Sequence, residues 1–433
     1  MADTVISPAT AGAGPGAQSE RIVGFWGRRG ALFGILMMNT LLGVLTLGVY
    51  RFWARTRLRQ YFWNSIEIDG DLLEYTGRGL ELFIGFLIVV AVLVPLAIGY
   101  QLLSVFLQAN APDVFTAVNF LYFITLFWLA RYAYFRARRY RLARTVWRGI
   151  CAGQDGSAAG YAWLWFGYAI LSVITLGWAV PWMTAELQKY EVEHARFGVE
   201  NFRYEGTGTG LLRAWAPCAA LWSLAFVAAL GMAITNFSEL QMMFLLAELR
   251  VENAEFPLDI TEVERLLSMY AIMIITLLIS IPFYVVYRIK AFRYMFRVSN
   301  LSGVGFDAEF GGWRLAGYWF LYVVVVVGLI LAVVLMLFGA IGGLAVIAET
   351  GEFLEEDLVG VGIALSIIPM VLLIFVMPML NLLLFYYPSI RHIATTLRLT
   401  EISSLERIVQ SSKDDPRFGE GLAAALDFDV GGF

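Results

Sequence analysis

The sequence predicts an all-α polytopic membrane protein with internal repeats: about six full spans, two helices broken at Thr-Leu-Gly that are re-entrant or short, and small β-hairpins forming a cytoplasmic platform. Three observations carry this. The chain is 59% hydrophobic and 15% charged, against the roughly 25% charged of soluble domains. Uncharged apolar tracts follow one another along it, most of them near or above the about 20 helical residues that a hydrocarbon core requires. The phrase "LTLGVYRFW" at 45–53 also returns as "ITLGWAVPW" at 174–182.

The elements follow in order. "MADTVISPATAGAGPGAQSE" has neither the basic start nor the apolar stretch of a signal peptide, and 1–21 reads as a disordered tail. Its "GAGPGA" follows no strand, so it is not a phosphate loop. "RIVGFWGRRG" supplies a single strand. Three helical hairpins are expected at 80–136, 210–290 and 313–390, while 31–54 and 160–183 carry the Thr-Leu-Gly break. The resulting units are a first repeat half over 22–155, a second over 156–297, a third hairpin unit over 298–398, and a cytoplasmic C-terminal helix and tail over 399–433. That last helix rests on Leu399, Ile402, Leu405 and Ile408 at helical spacing.

Charge sets the sidedness. Arginines 51, 55, 57 and 59, seven more between Arg131 and Arg148 with no acid among them, and Arg288, Lys290, Arg293 and Arg297 mark cytoplasmic ends. The stretch 349–358 has five acids and no base, and 239–265 has seven acids against two bases, so both face the opposite side. Within the second, Thr261 and Glu264 have the spacing of a capping box.

The repeat explains the doubled phrase. At a constant offset of 129, Thr46, Leu47, Gly48, Trp53, Leu58, Tyr61, Tyr75, Gly77, Gly79 and Leu82 recur as Thr175, Leu176, Gly177, Trp182, Leu187, Tyr190, Tyr204, Gly206, Gly208 and Leu211. Each copy runs from an apolar helix through Thr-Leu-Gly and an aromatic-rich stretch to a β-hairpin. The first hairpin turns at Asp69-Gly70, a pair suited to positive φ at both centres. "ARFGVENFRYEG" is its counterpart; 287–312 repeats the pattern around Ser-Gly, and 135–156 shows a basic half and a reduced strand. Matching hairpins belong on one face, which single spans at 31–54 and 160–183 would forbid. Re-entrant segments resolve the conflict, and the other solution is two true spans with an inverted second half.

The combination "TLGVYRFWARTRLRQYF", "IDGDLLEYTGRGLELF", "RYRLARTVWRGICAGQDGS" and "GEGLAAALDFDVGGF" resembles the YjgN-like family of bacterial inner-membrane proteins, a domain of unknown function, over 25–433. The resemblance implies an inner-membrane location in a Gram-negative bacterium and brings no catalytic residues. The acidic loop at 239–265 is longer than the family leads one to expect, so a partner using it would be particular to this branch.

Candidate sites follow. Thr46, Gly48, Thr175 and Gly177 either kink the helices or line a pathway, because unwound helix exposes backbone groups. Arg136, Arg138, Arg139, Arg141 and Arg144 form an anionic-lipid contact or snorkel at the interface. Gly339 and Gly343 allow close helix packing, within the fold or between copies. The polar residues inside the tracts, among them Asn39, Gln101, Asn119, Asn236 and Asn381, are neutral, which speaks against proton-coupled transport. His194 and His392 lie in different units, and Cys151 and Cys218 are isolated, so no metal site, cofactor or catalytic group is expected.

Two classes of function remain: a channel- or transporter-like protein for a small solute or lipid, and a membrane scaffold recruiting partners. Expected partners are membrane lipids, anionic headgroups included, and a protein bound through 237–267 or the cytoplasmic strands. Nucleic acid is not expected, since bilayer charge competes for the same arginines.

Overall fold

The computed structural model describes residues 21–235, 260–350, 373 and 375–411. Residues 1–20 of the expected N-terminal tail, the acidic stretch at 239–259, the acidic stretch after Thr350 and the final "FDVGGF" lie outside the described residues, while Arg21, read as the end of that tail, opens the first strand. Among the described residues twelve strand segments are formed: β1 (Arg21–Ile22), β2 (Gly24–Phe25), β3 (Ile66–Ile68), β4 (Asp71–Leu72), β5 (Glu74–Tyr75), β6 (Thr145–Trp147), β7 (Ile150–Gln154), β8 (Ala195–Phe197), β9 (Glu200–Tyr204), β10 (Ser299–Leu301), β11 (Val304–Ala308) and β12 (Leu397–Leu399). The helices are α1 (Arg29–Leu45), α2 (Arg51–Trp63), α3 (Gly79–Asn110), α4 (Pro112–Ala143), α5 (Ala158–Ile174), α6 (Val180–Glu193), α7 (Gly208–Thr235), α8 (Ile260–Arg297), α9 (Gly312–Thr350) and α10 (Tyr387–Thr396), the last preceded by a π-helical stretch, Asn381–Tyr386.

The strands make two antiparallel ladders, one in the order β1-β12-β11-β10-β9-β8-β7-β6-β5 and one in the order β2-β3-β4. These ladders join into a ring. Only Val23 separates β1 from β2, and its N–H donates to the Leu397 carbonyl at 3.2 Å. Only Leu73 separates β4 from β5, and its N–H donates to the Ile66 carbonyl at 3.0 Å. One strand therefore runs from Arg21 to Phe25 and another from Asp71 to Tyr75, and every strand has a neighbour on both sides. A closed ring leaves no edge for a stray strand to join.

The turn residues explain the hairpins. Asp69 and Gly70 have φ of 53° and 85°, as their sequence leads one to expect. Arg148 and Gly149 (51° and 75°) and Ser302 and Gly303 (50° and 91°) turn the same way. The segment read as a reduced strand is thus a full hairpin, with Val146 opposite Cys151. The fifth pairing is split across the sequence: Arg21 lies opposite Leu399 and Ile22 opposite Arg398.

Antiparallel pairing puts the helix-bearing strand ends on one rim and the hairpin turns on the other. The described α-helices therefore all join the ring at one rim. Phe25 pairs with Ile66 across the ends of α1 and α2, and Gln154 pairs with Ala195 across the ends of α5 and α6. Both Thr-Leu-Gly segments are thus short helical hairpins. Five described helices are long and apolar enough to cross a membrane, within α3, α4, α7, α8 and α9, while α1 and α5 are shorter and apolar. Of the hairpin expected at 313–390, residues 351–372 and 374 fall outside the described residues. Far from the ring, α3 and α4 hold together through the stacked rings of Tyr100 and Tyr122, 3.8 Å apart, and a 2.8 Å bond from the Tyr100 hydroxyl to Asn119 Oδ1.

Inside the ring, Val23, Trp147, Ala152, Phe197, Leu301 and Val304 are among the residues that form one apolar core. The C-terminal segment completes it. Ile402–Arg407 is a 3-10 helix, and Leu405 and Ile408 are buried in the same cluster. Beyond it the Val199 N–H donates to the Val409 carbonyl at 3.1 Å, and the Cys151 N–H donates to Gln410 Oε1 at 2.8 Å. The segment thus covers the turn-side mouth.

Candidate functional site at the helix junctions

The doubled Thr-Leu-Gly phrase is a doubled helix stop. Gly48 N–H donates to the Gly43 carbonyl and Gly177 N–H to the Ser172 carbonyl, both at 2.7 Å, while Leu47 and Leu176 N–H donate to Val44 and Val173 at 3.1 Å. This is the paired bonding of a Schellman motif, with φ of 50° at both leucines and 86° and 88° at the glycines. The threonines lock it. Thr46 Oγ1 donates to the Leu42 carbonyl at 2.7 Å and accepts from Tyr50 N–H at 2.9 Å. Thr175 Oγ1 donates to Leu171 at 2.8 Å and accepts from Ala179 N–H at 3.1 Å. Leu47 is 94% exposed, so the first turn is a protruding tip.

The arginine run is woven into the protein. Arg138 Nε lies 3.0 Å from Glu191 Oε2, and Glu191 Oε1 accepts from the Tyr161 hydroxyl at 2.7 Å, tying α4, α5 and α6 together. Arg144 Nη2 lies 2.9 Å from Glu81, which also accepts from the Tyr140 hydroxyl at 2.7 Å. Arg139 donates to the Gly156 carbonyl, and Arg136 to the Tyr132 hydroxyl at 3.3 Å. Arg141 lies partly buried on the same helix end. Arg148, at the second hairpin turn, holds Asp69 at 3.0 Å and also pairs with Asp71 of the first. Sequence reading named the arginines and missed Glu81 and Glu191; the signal available for Glu81 was that it is the one charged residue of α3, whereas Glu191 stands among Glu186, Lys189 and Glu193 with nothing in the spacing to single it out. Gly339 meets nothing within 4 Å, and the surroundings of Gly343 lie outside the described residues.

The junctions between successive helical hairpins differ. Leu32, Leu36, Phe62 and Tyr387 fill the one between the fifth and first; Phe52, Leu82 and Tyr140 the next; Phe135, Ala158 and Tyr161 the third. Ala185, Leu211, Trp215 and Tyr287 fill the fourth. Two of these rest on a tryptophan lying over a glycine that opens the following helix. A Cβ on Gly79 would come within 2.9 Å of Trp53 Cα, and one on Gly208 within 2.7 Å of Trp182 Cα. Glycine is required by that approach.

At the remaining junction, between α8 and α9, the glycine persists as Gly312 but the tryptophan does not. Trp53 and Trp182 stand thirteen residues ahead of strands that begin at Ile66 and Ala195; the same count back from Ser299 gives Val286. A cleft of about 710 Å³ opens there, lined by Val285, Val286, Ile289 and Phe320, with Lys290 and Arg293 at its ring end. Smaller apolar recesses, of about 260 and 360 Å³, lie beside Trp165 and beside Gly177 and Trp222. A pocket of about 280 Å³ between α4, α6, α8 and the ring includes Arg138 and Gln188.

Long apolar helices rising from a closed strand ring define a polytopic membrane protein. The chain belongs to the family described as "Bacterial protein of unknown function (DUF898)", which matches residues 21–425. It is similar to the inner membrane protein YjgN of Escherichia coli (strain K12), 26% identical over 153 residues that make up 35% of this chain and 36% of that protein. The counterparts in Escherichia coli O157:H7 and Salmonella typhimurium (strain LT2) are 25% identical over 153 and 152 residues, again 35% of this chain and 36% of each relative. The match thus spans about a third of the length of these relatives. No solved structure matches.

Proposed function

We propose that this chain is an inner-membrane protein, set with its strand ring in the cytoplasm, that takes lipid or a lipid-like small solute sideways from the bilayer into apolar clefts between its helical hairpins. The observation that carries this reading is the α8–α9 cleft, an apolar hollow of about 710 Å³ along two membrane-length helices. Such a volume lies within the roughly 300–1,000 Å³ of small-molecule sites. The ring axis supports lateral over axial entry: its interior is packed with apolar side chains and its mouth is covered by Leu405 and Ile408. The orientation rests on the basic clusters of α2, α4 and α8, which lie at helix ends leading into the ring. The reading assigns no catalytic step, and the likeness to proteins named for the inner membrane agrees with the location.

The test is reconstitution of the purified full chain into liposomes. The expected result is retention of lipid through purification and no ion conductance. Conductance with no retained lipid would overturn the proposal.

A scaffold role is the second reading. It is favoured by Val199 and Val409, 53% and 62% exposed and joined by a backbone hydrogen bond on the turn rim. Co-purification of one defined protein that Val199→Asp abolishes would favour it.

A further inference from the structure

We propose that the α8–α9 cleft is a binding site for an anionic phospholipid, its acyl chains lying along Val285, Val286 and Phe320 and its phosphate held by Lys290 and Arg293. The proposal rests on the lateral lipid-handling reading and names the lipid class and its seat.

The cleft has a clear origin in the chain. Where the first and third helical hairpins place Trp53 and Trp182 over Gly79 and Gly208, the fourth has Val286 in the same register; Gly312 is met instead by the smaller Ile289 side chain, and the cleft lies along Val286 and Ile289. Gly317 keeps it wide, since a Cβ there would meet nothing within 4 Å. Its walls belong to helices long and apolar enough to cross the membrane, so the body of the cleft faces hydrocarbon.

Charge selects the occupant. Among the described residues the ionisable side chains lining the cleft are Lys290 and Arg293, both at the end where α8 runs into the ring, with no carboxylate among them. Among the described residues neither cation has an ion pair; Arg293 lies over the Phe310 ring at 5.8 Å from its centroid. Arg138 and Arg144, in contrast, pair with Glu191 and Glu81. Trp313, 85% exposed, stands at the ring end of the cleft, as an indole does at a headgroup boundary, and Trp319 lines the cleft about 9 Å further along the helix. An apolar slot with two cations at its headgroup end fits a phosphodiester lipid carrying net negative charge better than a zwitterionic one.

The test uses the full chain in detergent with added phosphatidylglycerol or phosphatidylethanolamine and native mass spectrometry of retained lipid. Wild type is expected to retain phosphatidylglycerol preferentially. In Lys290→Glu/Arg293→Glu its retention is expected to fall by about thirtyfold, on the strength of two basic residues at an anionic headgroup, with phosphatidylethanolamine unchanged. Val286→Trp, which restores the residue found at two other junctions, is expected to displace both lipids while leaving the charges in place. Arg297→Glu, on the same helix but outside the cleft lining, should change nothing.

Equal retention of both lipids by wild type, or phosphatidylglycerol held as tightly after charge reversal, overturns the anionic site and leaves lateral lipid uptake standing. Retention untouched by Val286→Trp moves the lipid out of this cleft. Wild type that retains neither lipid defeats both proposals.

Discussion

Leu47 and Leu176 both hold φ of 50°, a conformation that leucine adopts at a cost of about 1–2 kcal/mol. Gly48 and Gly177 sit further into positive φ, and Gly177 would also bring a Cβ 3.1 Å from Trp222. Gly48→Ala and Gly177→Ala should therefore lower stability by about 1–2 kcal/mol each, read as thermal unfolding in lipid nanodiscs, with the second the larger. The pair of half-buried Arg138 with buried Glu191 gives a sharper contrast. Glu191→Ala leaves Arg138 and two tyrosines without their shared acceptor and should cost about 3–5 kcal/mol, whereas Arg148→Ala at an exposed turn should cost about 0–1 kcal/mol. His392 adds a pH dependence. Its Nε2 accepts from Gly311 N–H at 3.1 Å, and burial, aided by the Arg314 charge, lowers its pKa. The unfolded chain then binds the proton more readily. This contribution is complete above the ordinary histidine value of about 6.5 and is lost progressively as pH falls from there through the lowered folded-state value. A flatter acid limb of the stability profile in His392→Gln would confirm the assignment; an unchanged limb would remove it.

At the scale of elements, legibility followed how local the cause was. The Asp69-Gly70 turn was readable because two adjacent residues favour its dihedrals, and Ser302-Gly303 was readable for the same reason. The pairing of Arg21–Ile22 with Leu397–Leu399 was not: both strands are too short to carry a period, and their partners lie at opposite ends of the sequence. The segment after Leu399 shows a different limit. Its apolar residues recur every third position, which fits the 3-10 helix actually formed at Ile402–Arg407, and Leu399 itself belongs to a strand. Nothing in that spacing says that Leu405 and Ile408 close the ring interior. Ending the chain after Glu401 should cost about 3 kcal/mol or more for two buried apolar side chains. Denaturant unfolding of the shortened protein tests this. An unchanged midpoint would mean that the segment only rests on the ring.

For the molecule as a whole, the repeat at offset 129 captured two of the five helical hairpins in detail, because those two share Thr-Leu-Gly, the tryptophan and the glycine that packs beneath it. The others keep the strand-to-helix register while losing those side chains, so their kinship shows in the backbone. Two of those junctions are refilled by other side chains, and the cleft lies at the one between α8 and α9, where Val286 holds the tryptophan's register. Function was least legible, since a hollow between two helices depends on which side chains are missing from a register that only the fold reveals.

The central claim is that the described α-helices all join one closed ring at the same rim, so that the hairpin turns share the other side. Single cysteines at Leu72, Val199, Ser302 and Val409, in a chain with Cys151 and Cys218 replaced by serine, test it most directly. A membrane-impermeant maleimide should label all four from the same compartment. Labelling of Leu72→Cys from one compartment and Val199→Cys from the other would contradict the ring.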